Sequence, residues 1–297
     1  MISEGETKVV GYHENLAREG GVFESLVNRA SFVDRIVMSV WGIRRCRPLG
    51  GICTGPSRAI GGEKRLYARS IPIALPVVGN HGELRYGRLR PWKPIPQFRL
   101  VMHSVDSPLD QIQVDGVLSN LMRCRYRCAV SLIEMAFDTR GIPIQFFGQH
   151  LFTNARKLSL WSDLFGRQTL YIGAPRAAWQ LRIYQKTDDI VRLEYVLRRP
   201  FLSHLSVHLL EDVLLLKHVD LSHLASFKEF SQHSLNLALT PLRNDWRKRL
   251  LLEWPQHRPL QLLAQALWSG HRIHPAPLLH SSGAEQLLRQ MQDQFIW

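Results

Sequence analysis

The stretch Thr169–Arg199, TLYIGAPRAAWQLRIYQKTDDIVRLEYVLRR, constrains the fold of this chain more than any other. From Trp179 to Lys186 the side chains alternate. Leu181 and Ile183 fall on one face and Arg182, Tyr184 and Lys186 on the other, the period of a half-buried strand. Thr187, Asp188 and Asp189 carry turn chemistry. In the run that follows, Arg192, Glu194 and Arg198 share one face, and Val191, Leu193, Tyr195 and Leu197 the other. The pair reads as a hairpin whose register decides its chemistry. A two-residue loop at Asp188 and Asp189 would set Tyr184 opposite Leu193 and separate the polar faces. A three-residue loop over Thr187 to Asp189 sets Tyr184 opposite Arg192 and Arg182 opposite Glu194. Burying Arg182, Tyr184 and Lys186 against a core would strand unpaired charge, so the three-residue loop, or another of odd length, is predicted.

A second segment, YRCAVSLIEMAFDT (Tyr126 to Thr139), has strand composition. Val130, Leu132, Glu134, Ala136 and Asp138 lie on one face, so two carboxylates share a face of an otherwise apolar strand. Either a divalent cation or a basic partner such as Arg182 or Arg192 must offset their burial.

The remaining chain predicts an α+β fold: a central, mostly antiparallel sheet with helices on one face, followed by a helical C-terminal region. Three parts are expected. Residues 1–95 form a helix around Val22 to Trp41 and a basic Gly/Pro-rich loop carrying Arg44, Arg45, Arg47, Arg58 and Lys64, with one strand between Tyr67 and Val78. Residues 96–200 form the α+β core, with strands at Phe98 to Ser104, Tyr126 to Thr139, Ile142 to Phe147 and Gln168 to Gly173, and a helix over Pro108 to Met122. Residues 201–297 are read as helices over 202–217, 221–239, 243–254, 260–268 and 283–295. No internal repeat is visible.

Lys plus Arg number 38 against 25 Asp plus Glu, a net charge of +13, which favours a polyanionic partner such as nucleic acid. No run approaches the ~20 apolar residues of a membrane-spanning helix. The four cysteines lack zinc-knuckle spacing, and the N-terminal stretch lacks the apolar core of a signal peptide, so a reducing cytoplasm is the expected compartment.

Four motifs in order, SLIEMAFDT, TLYIG followed by Pro175-Arg176, LRIYQK and VRLEYVLRR, resemble the replication initiation factor family, the Rep_trans-type rolling-circle initiators and related relaxases. The resemblance covers Phe98 to Arg199. It implies an HUH-like catalytic core in which Tyr184 is the nucleophile and Lys186 its companion. Glu134, Asp138 and Glu194 become ligands of Mg2+ or Mn2+, and Tyr171 and Gly173 the Y-x-G strand. Glu134 stands where aspartate is usual, Leu132 where arginine is common, and Gln185 where an acid or amide is common. The implied reaction is nicking and joining of single-stranded origin DNA through a 5′-phosphotyrosyl intermediate.

A phenol is a poor nucleophile until its proton is removed or its anion stabilised. Lys186 and Arg182, flanking Tyr184 on its own face, are expected to supply that stabilisation, and a divalent ion to neutralise charge on the phosphate. Arg123, Arg125, Arg127, Tyr171, Arg176, Arg182, Arg192, Arg198 and Arg199 are the expected DNA contacts, with Arg243, Arg247, Lys248 and Arg249 as further candidates. Origin duplex and single strand are the implied partners, with a host helicase or polymerase and a second copy of the chain as additional ones; no membrane is implied. The alternatives are a mobilisation relaxase with the same chemistry, a DNA-binding regulator without catalysis, and a phage assembly protein.

Overall fold

The segment expected to open with a helix is instead the central strand of the protein. In the computed structural model, which describes residues 29–41, 54–61, 66–75, 80–90, 92–104, 108–121, 127–153, 155, 157–163, 167–230 and 279–297, Arg29–Trp41 forms strand β1. It pairs on one side with β5 (Phe98–His103) and on the other with β6 (Arg127–Arg140). The helical reading failed because of a bulge. Register shifts between Val33 and Arg35, setting Asp34 aside. The core-facing residues therefore fall at Val33, Ile36, Met38 and Val40, and the three-residue step from Val33 to Ile36 across the bulge mimics the spacing of a helix.

The remaining strands are β2 (Arg58–Ala59), β3 (Tyr67–Ala74), β4 (His81–Arg88), β7 (Leu151–Phe152), β8 (Leu158–Ser162), β9 (Gln168–Ile172), β10 (Trp179–Gln185), β11 (Ile190–Arg198), β12 (Ser226–Phe230) and β13 (Leu279–Ser281). Ten of the strands form one sheet in the order β2-β3-β4-β5-β1-β6-β11-β10-β9-β8, with every pairing antiparallel. The remaining three make a small sheet, β13-β12-β7. The sheet does not respect the expected division between residues 95 and 96, since β4 and β5 pair directly across it.

One face of the sheet is apolar and covered. Helix α1 (Gln111–Leu121), helix α2 (Ile144–His150), the short α3 (Arg199–His204), a 3-10 segment (Glu211–His218) and α4 (Gly283–Asp293) contribute Val114, Val117, Leu118, Ile144, Phe147, Leu202, Val213, Leu216, Leu287 and Met291 to a single core with Ile36, Met38, Ile133, Met135, Leu193, Tyr195 and Leu197. Burying each such side chain contributes about 1.5–3 kcal/mol. The segment Ile142 to Phe147, expected as a strand, belongs largely to α2. Pro143 stands at its N-cap, and Ile144 and Phe147 are buried at helical spacing. The expected helix over 202–217 is interrupted where Ser206 takes a φ of 60°, and 226–230 is strand rather than helix. The helices expected at 243–254 and 260–268 lie outside the described residues. No described helix is long and apolar enough to cross a membrane.

Topology reveals a repeat that the sequence hides. Each half of the sheet begins with a long inner strand (β1 or β6), then adds strands from the outer edge inward (β2-β3-β4-β5 or β8-β9-β10-β11), so that the last one lies beside the first. The inner strands pair with each other about a pseudo-dyad at Ile36↔Ile133. Arg35↔Glu134 is mirrored by Val37↔Leu132, and Val33↔Met135 by Met38↔Val130. The bulges obey the same symmetry, Asp34 before Ile36 and Ser131 before Ile133.

Candidate active site

The uncovered face of the second half carries the polar residues. The hairpin β10–β11 adopts the expected three-residue loop, so that Tyr184 lies opposite Arg192 and Arg182 opposite Glu194. Thr187 Oγ1 accepts from the Ile190 amide at 3.2 Å and donates to Asp189 at 2.7 Å, fixing the turn. At the other end of β10, Gly173 holds a φ of 94°, and a Cβ there would lie 3.1 Å from the Trp179 carbonyl. The Y-x-G spacing thus has a local cause: only glycine allows β9 to turn so closely against β10.

Four carboxylates and four cations interlock on this face. The Tyr184 hydroxyl donates to Glu194 Oε2 at 2.9 Å, and Arg182 Nη1 donates to Glu194 Oε1 at 2.7 Å. Glu134 receives Arg35 at 3.3 Å and lies 3.9 Å from Arg182. Arg192 grips Asp138 with two bonds of 2.6 and 2.8 Å, and reaches Asp34 at 2.6 Å with its third nitrogen. Lys186 Nζ completes the set 3.3 Å from Asp138. Glu134, Arg192 and Glu194 are almost wholly buried, at 5%, 5% and 3% exposure, so the pairing is essential: an uncompensated charge there would cost several kcal/mol. The Arg192 guanidinium also lies over the Phe32 ring, 5.3 Å from its centroid.

These contacts change two expectations. Burial, and then the neighbouring Glu194, push the Tyr184 phenol above its ordinary value, so it rests protonated. Lys186 does not stabilise a phenolate, because its charge goes to Asp138. Burial, reinforced by Glu194, also raises Glu134 to about 6.

The expected metal triad of Glu134, Asp138 and Glu194 does not fit this arrangement. Residues four apart on a strand lie ~13 Å apart along it, so Glu134 and Asp138 share a face without being neighbours. Glu194, opposite Ala136, lies between them, and its two oxygens are engaged by Arg182 and Tyr184. Among the described residues no three histidine, cysteine or acidic side chains come together as ligands.

The expected DNA contacts divide. Tyr171 lies opposite Arg182 on the same face, half-buried. Arg127 at the start of β6 and Arg176 in the turn after Gly173 are exposed. Arg198 is used internally, donating to the carbonyls of Ala177 at 3.0 Å and Pro175 at 2.7 Å, and is thereby a brace of the turn rather than a free contact. Arg199 lies over the Trp41 ring at 5.9 Å. Arg123, Arg125, Arg243, Arg247, Lys248 and Arg249 lie outside the described residues, as do Arg44, Arg45, Arg47 and Lys64.

Sequence reasoning missed Asp34, Arg35 and Phe32, which β1 brings to the site, and Gln180, whose amide oxygen accepts from Arg182 at 3.3 Å. The signal was a charged Asp-Arg pair inside the apolar run SFVDRIVMSV. Arg35 also supplies the guanidinium beside Glu134, so none is needed at Leu132.

No family model matches the chain and no curated protein matches it. Among solved structures, the chain is similar to a rolling circle replication initiator protein from Geobacillus stearothermophilus, with 16% identity and a TM-score of 0.47 over 74% of this chain and 95% of that one.

Proposed function

We propose that this protein cleaves and rejoins single-stranded DNA by tyrosine transesterification, as an initiator of rolling-circle replication. The observation that carries the reading is the hydrogen bond from the Tyr184 phenol to the buried Glu194 carboxylate, set among arginines on an open sheet face. Tyr184 Oη attacks phosphorus as its proton passes to Glu194. The bond from phosphorus to O3′ breaks, and the leaving O3′ takes up that proton, giving a 5′-phosphotyrosyl enzyme and a free 3′-OH. Arg182 holds the other Glu194 oxygen and so aims the base. Guanidiniums recognise phosphate, and the part-exposed Arg182 borders the phenol on the face that the strand would cross, while Arg192 is committed to Asp34 and Asp138. The four ordered motifs support the same assignment, and the excess of basic residues supports a DNA partner.

The test is incubation with labelled single-stranded oligonucleotides in Mg2+ or Mn2+, and again in EDTA, followed by denaturing electrophoresis. A covalent adduct is expected with the native chain and none with Tyr184→Phe, a loss of at least ~10³-fold, while binding stays within about twofold. Salt-sensitive binding without an adduct on any oligonucleotide would instead identify a DNA-binding regulator.

A further inference from the structure

The pseudo-dyad allows the two halves to be compared position by position. The partner of Arg182 is Arg85, and Glu194 is replaced by Arg99. These pair across their hairpins as Arg85↔Arg99 and Arg182↔Glu194, and against the inner strands as Ser39↔Arg99 and Ala136↔Glu194. Glu134 is replaced by Val37 and Asp138 by Trp41, each at the same step beyond the dyad isoleucines. Tyr184, two residues past Arg182, is replaced by Gly87. The first half keeps the layout, lacks the nucleophile and has exchanged its acids for apolar or basic residues.

The exchange leaves a row of cross-strand neighbours running Arg58↔Ser70↔Arg85↔Arg99↔Ser39 over strands β2, β3, β4, β5 and β1. Like charges directly opposite one another are unfavourable, yet Arg85 and Arg99 are so placed. Arg85 is balanced by Glu83, at 2.7 and 2.8 Å. Arg99 is half-buried and makes no ion pair with a carboxylate among the described residues. Nearby Arg35 has its Nε buried without a hydrogen-bond partner. Burial, and then the charges of Arg85 and Arg35, weaken the hold of the Arg99 guanidinium on its proton, although Tyr67 opposes this. A surface that keeps such repulsion is built for an anion that arrives from outside.

We propose that this row is a second phosphate track, occupied by a more distant stretch of the DNA strand whose scissile phosphate lies at Tyr184. The proposal rests on the strand-transfer reading for the identity of the polyanion. Strand β5 lies four strand spacings from β10, ~19 Å at ~4.8 Å each. Tyr184 is in register with Ala30 and Arg99 with Ser39, so the two sites are also offset along β1 by ~30 Å at ~3.3 Å per residue. The combined span of ~35 Å corresponds to about ten nucleotides at a stacked rise of ~3.4 Å. An oligonucleotide confined to the Tyr184 site should therefore miss the track, and one some ten nucleotides longer should reach it.

Fluorescence anisotropy with six- and sixteen-nucleotide oligothymidylates tests this, using the full chain and Arg85→Gln/Arg99→Gln. The native chain is expected to bind the longer strand at least tenfold more tightly. The double variant should lose most of that gain and bind the shorter strand within twofold of native. Its plot of log affinity against log salt for the longer strand should become shallower by about 1.4, since each phosphate contact on a single strand contributes ~0.7. An undiminished length gain, or an equal loss on both lengths in a protein with a native thermal transition, overturns the track. If the double variant does not fold, Arg85→Gln alone is expected to lower the slope by about 0.7, and an unchanged slope overturns the proposal. Length-dependent binding without an adduct on any strand would retain the track and remove the strand-transfer reading.

Discussion

The two halves of the sheet share one topology and one register, yet they treat charge in opposite ways. Around Tyr184, where β1 joins the second half, each of the four carboxylates has a cation: Arg182 with Glu194, Arg35 with Glu134, Arg192 with Asp34 and Asp138. In the first half, Arg99 faces Arg85 across the hairpin and no acid answers it among the described residues. The difference separates the requirements of chemistry from those of binding. A reacting group needs an acceptor for its proton held in one orientation, which a saturated network provides. A binding surface needs charge left over for the ligand.

The contrast can be broken experimentally, most severely at the proton acceptor. Glu194→Gln keeps the shape of the side chain but removes its basicity. Adduct formation is expected to fall by about 10²–10⁴-fold, as measured by single-turnover gel assay, with oligonucleotide affinity preserved. A change confined to affinity would remove Glu194 from the proton path. Next in size is Arg192→Met, which strands Asp34 and Asp138 in a buried setting. A loss of about 3–5 kcal/mol is expected in denaturant unfolding. The same substitution in the other half should act with the opposite sign, because Arg99→Met relieves a like-charge contact. It should be neutral or stabilising by up to about 1 kcal/mol, so a large destabilisation would show that Arg99 has a structural partner.

A pH titration sharpens the comparison further. Glu134 is raised from 4.5 to about 6 in the folded protein. Between these values the native state holds a proton that the unfolded chain has released. Its contribution is therefore complete below pH 4.5 and is lost as pH climbs through 6, for about 2 kcal/mol from a shift of that size. Chemical unfolding from pH 4 to 7 should show this decline in the native chain and a flatter profile in Glu134→Gln.

Much of the second half was legible from the sequence because its signals are local. The β10–β11 register followed from turn length and the cost of burying Arg182 and Tyr184, and the strand carrying Glu134 and Asp138 from simple alternation. Non-local features were hidden. The role of β1 was obscured by its bulge, and Asp34 reaches Arg192 from 158 positions away. The repeat was invisible because a shared topology constrains which positions face the core, while Glu194 and Arg99, or Tyr184 and Gly87, have no side-chain chemistry in common. Glu134, Asp138 and Glu194 do not converge as a triad, for a geometric reason. Alternation tells which face a side chain occupies but says nothing of the rise between residues on that face.

The first strand is also fastened by the far end of the chain. The Ile296 amide donates to the Ser31 carbonyl at 3.0 Å, the Ser31 hydroxyl donates to the Met291 carbonyl, and Trp297 Nε1 donates to the Leu210 carbonyl at 3.3 Å. The two contacts to Ser31 span some of the longest sequence separations among the described residues, 260 positions for Ser31 and Met291. Such closures are slow, since the intervening chain must be ordered first. During synthesis the innermost strand of the sheet therefore emerges early and waits, its Ser31 end unsealed, until residues 291–297 have left the ribosome. Until then that end is an open edge on which a neighbouring nascent chain could pair.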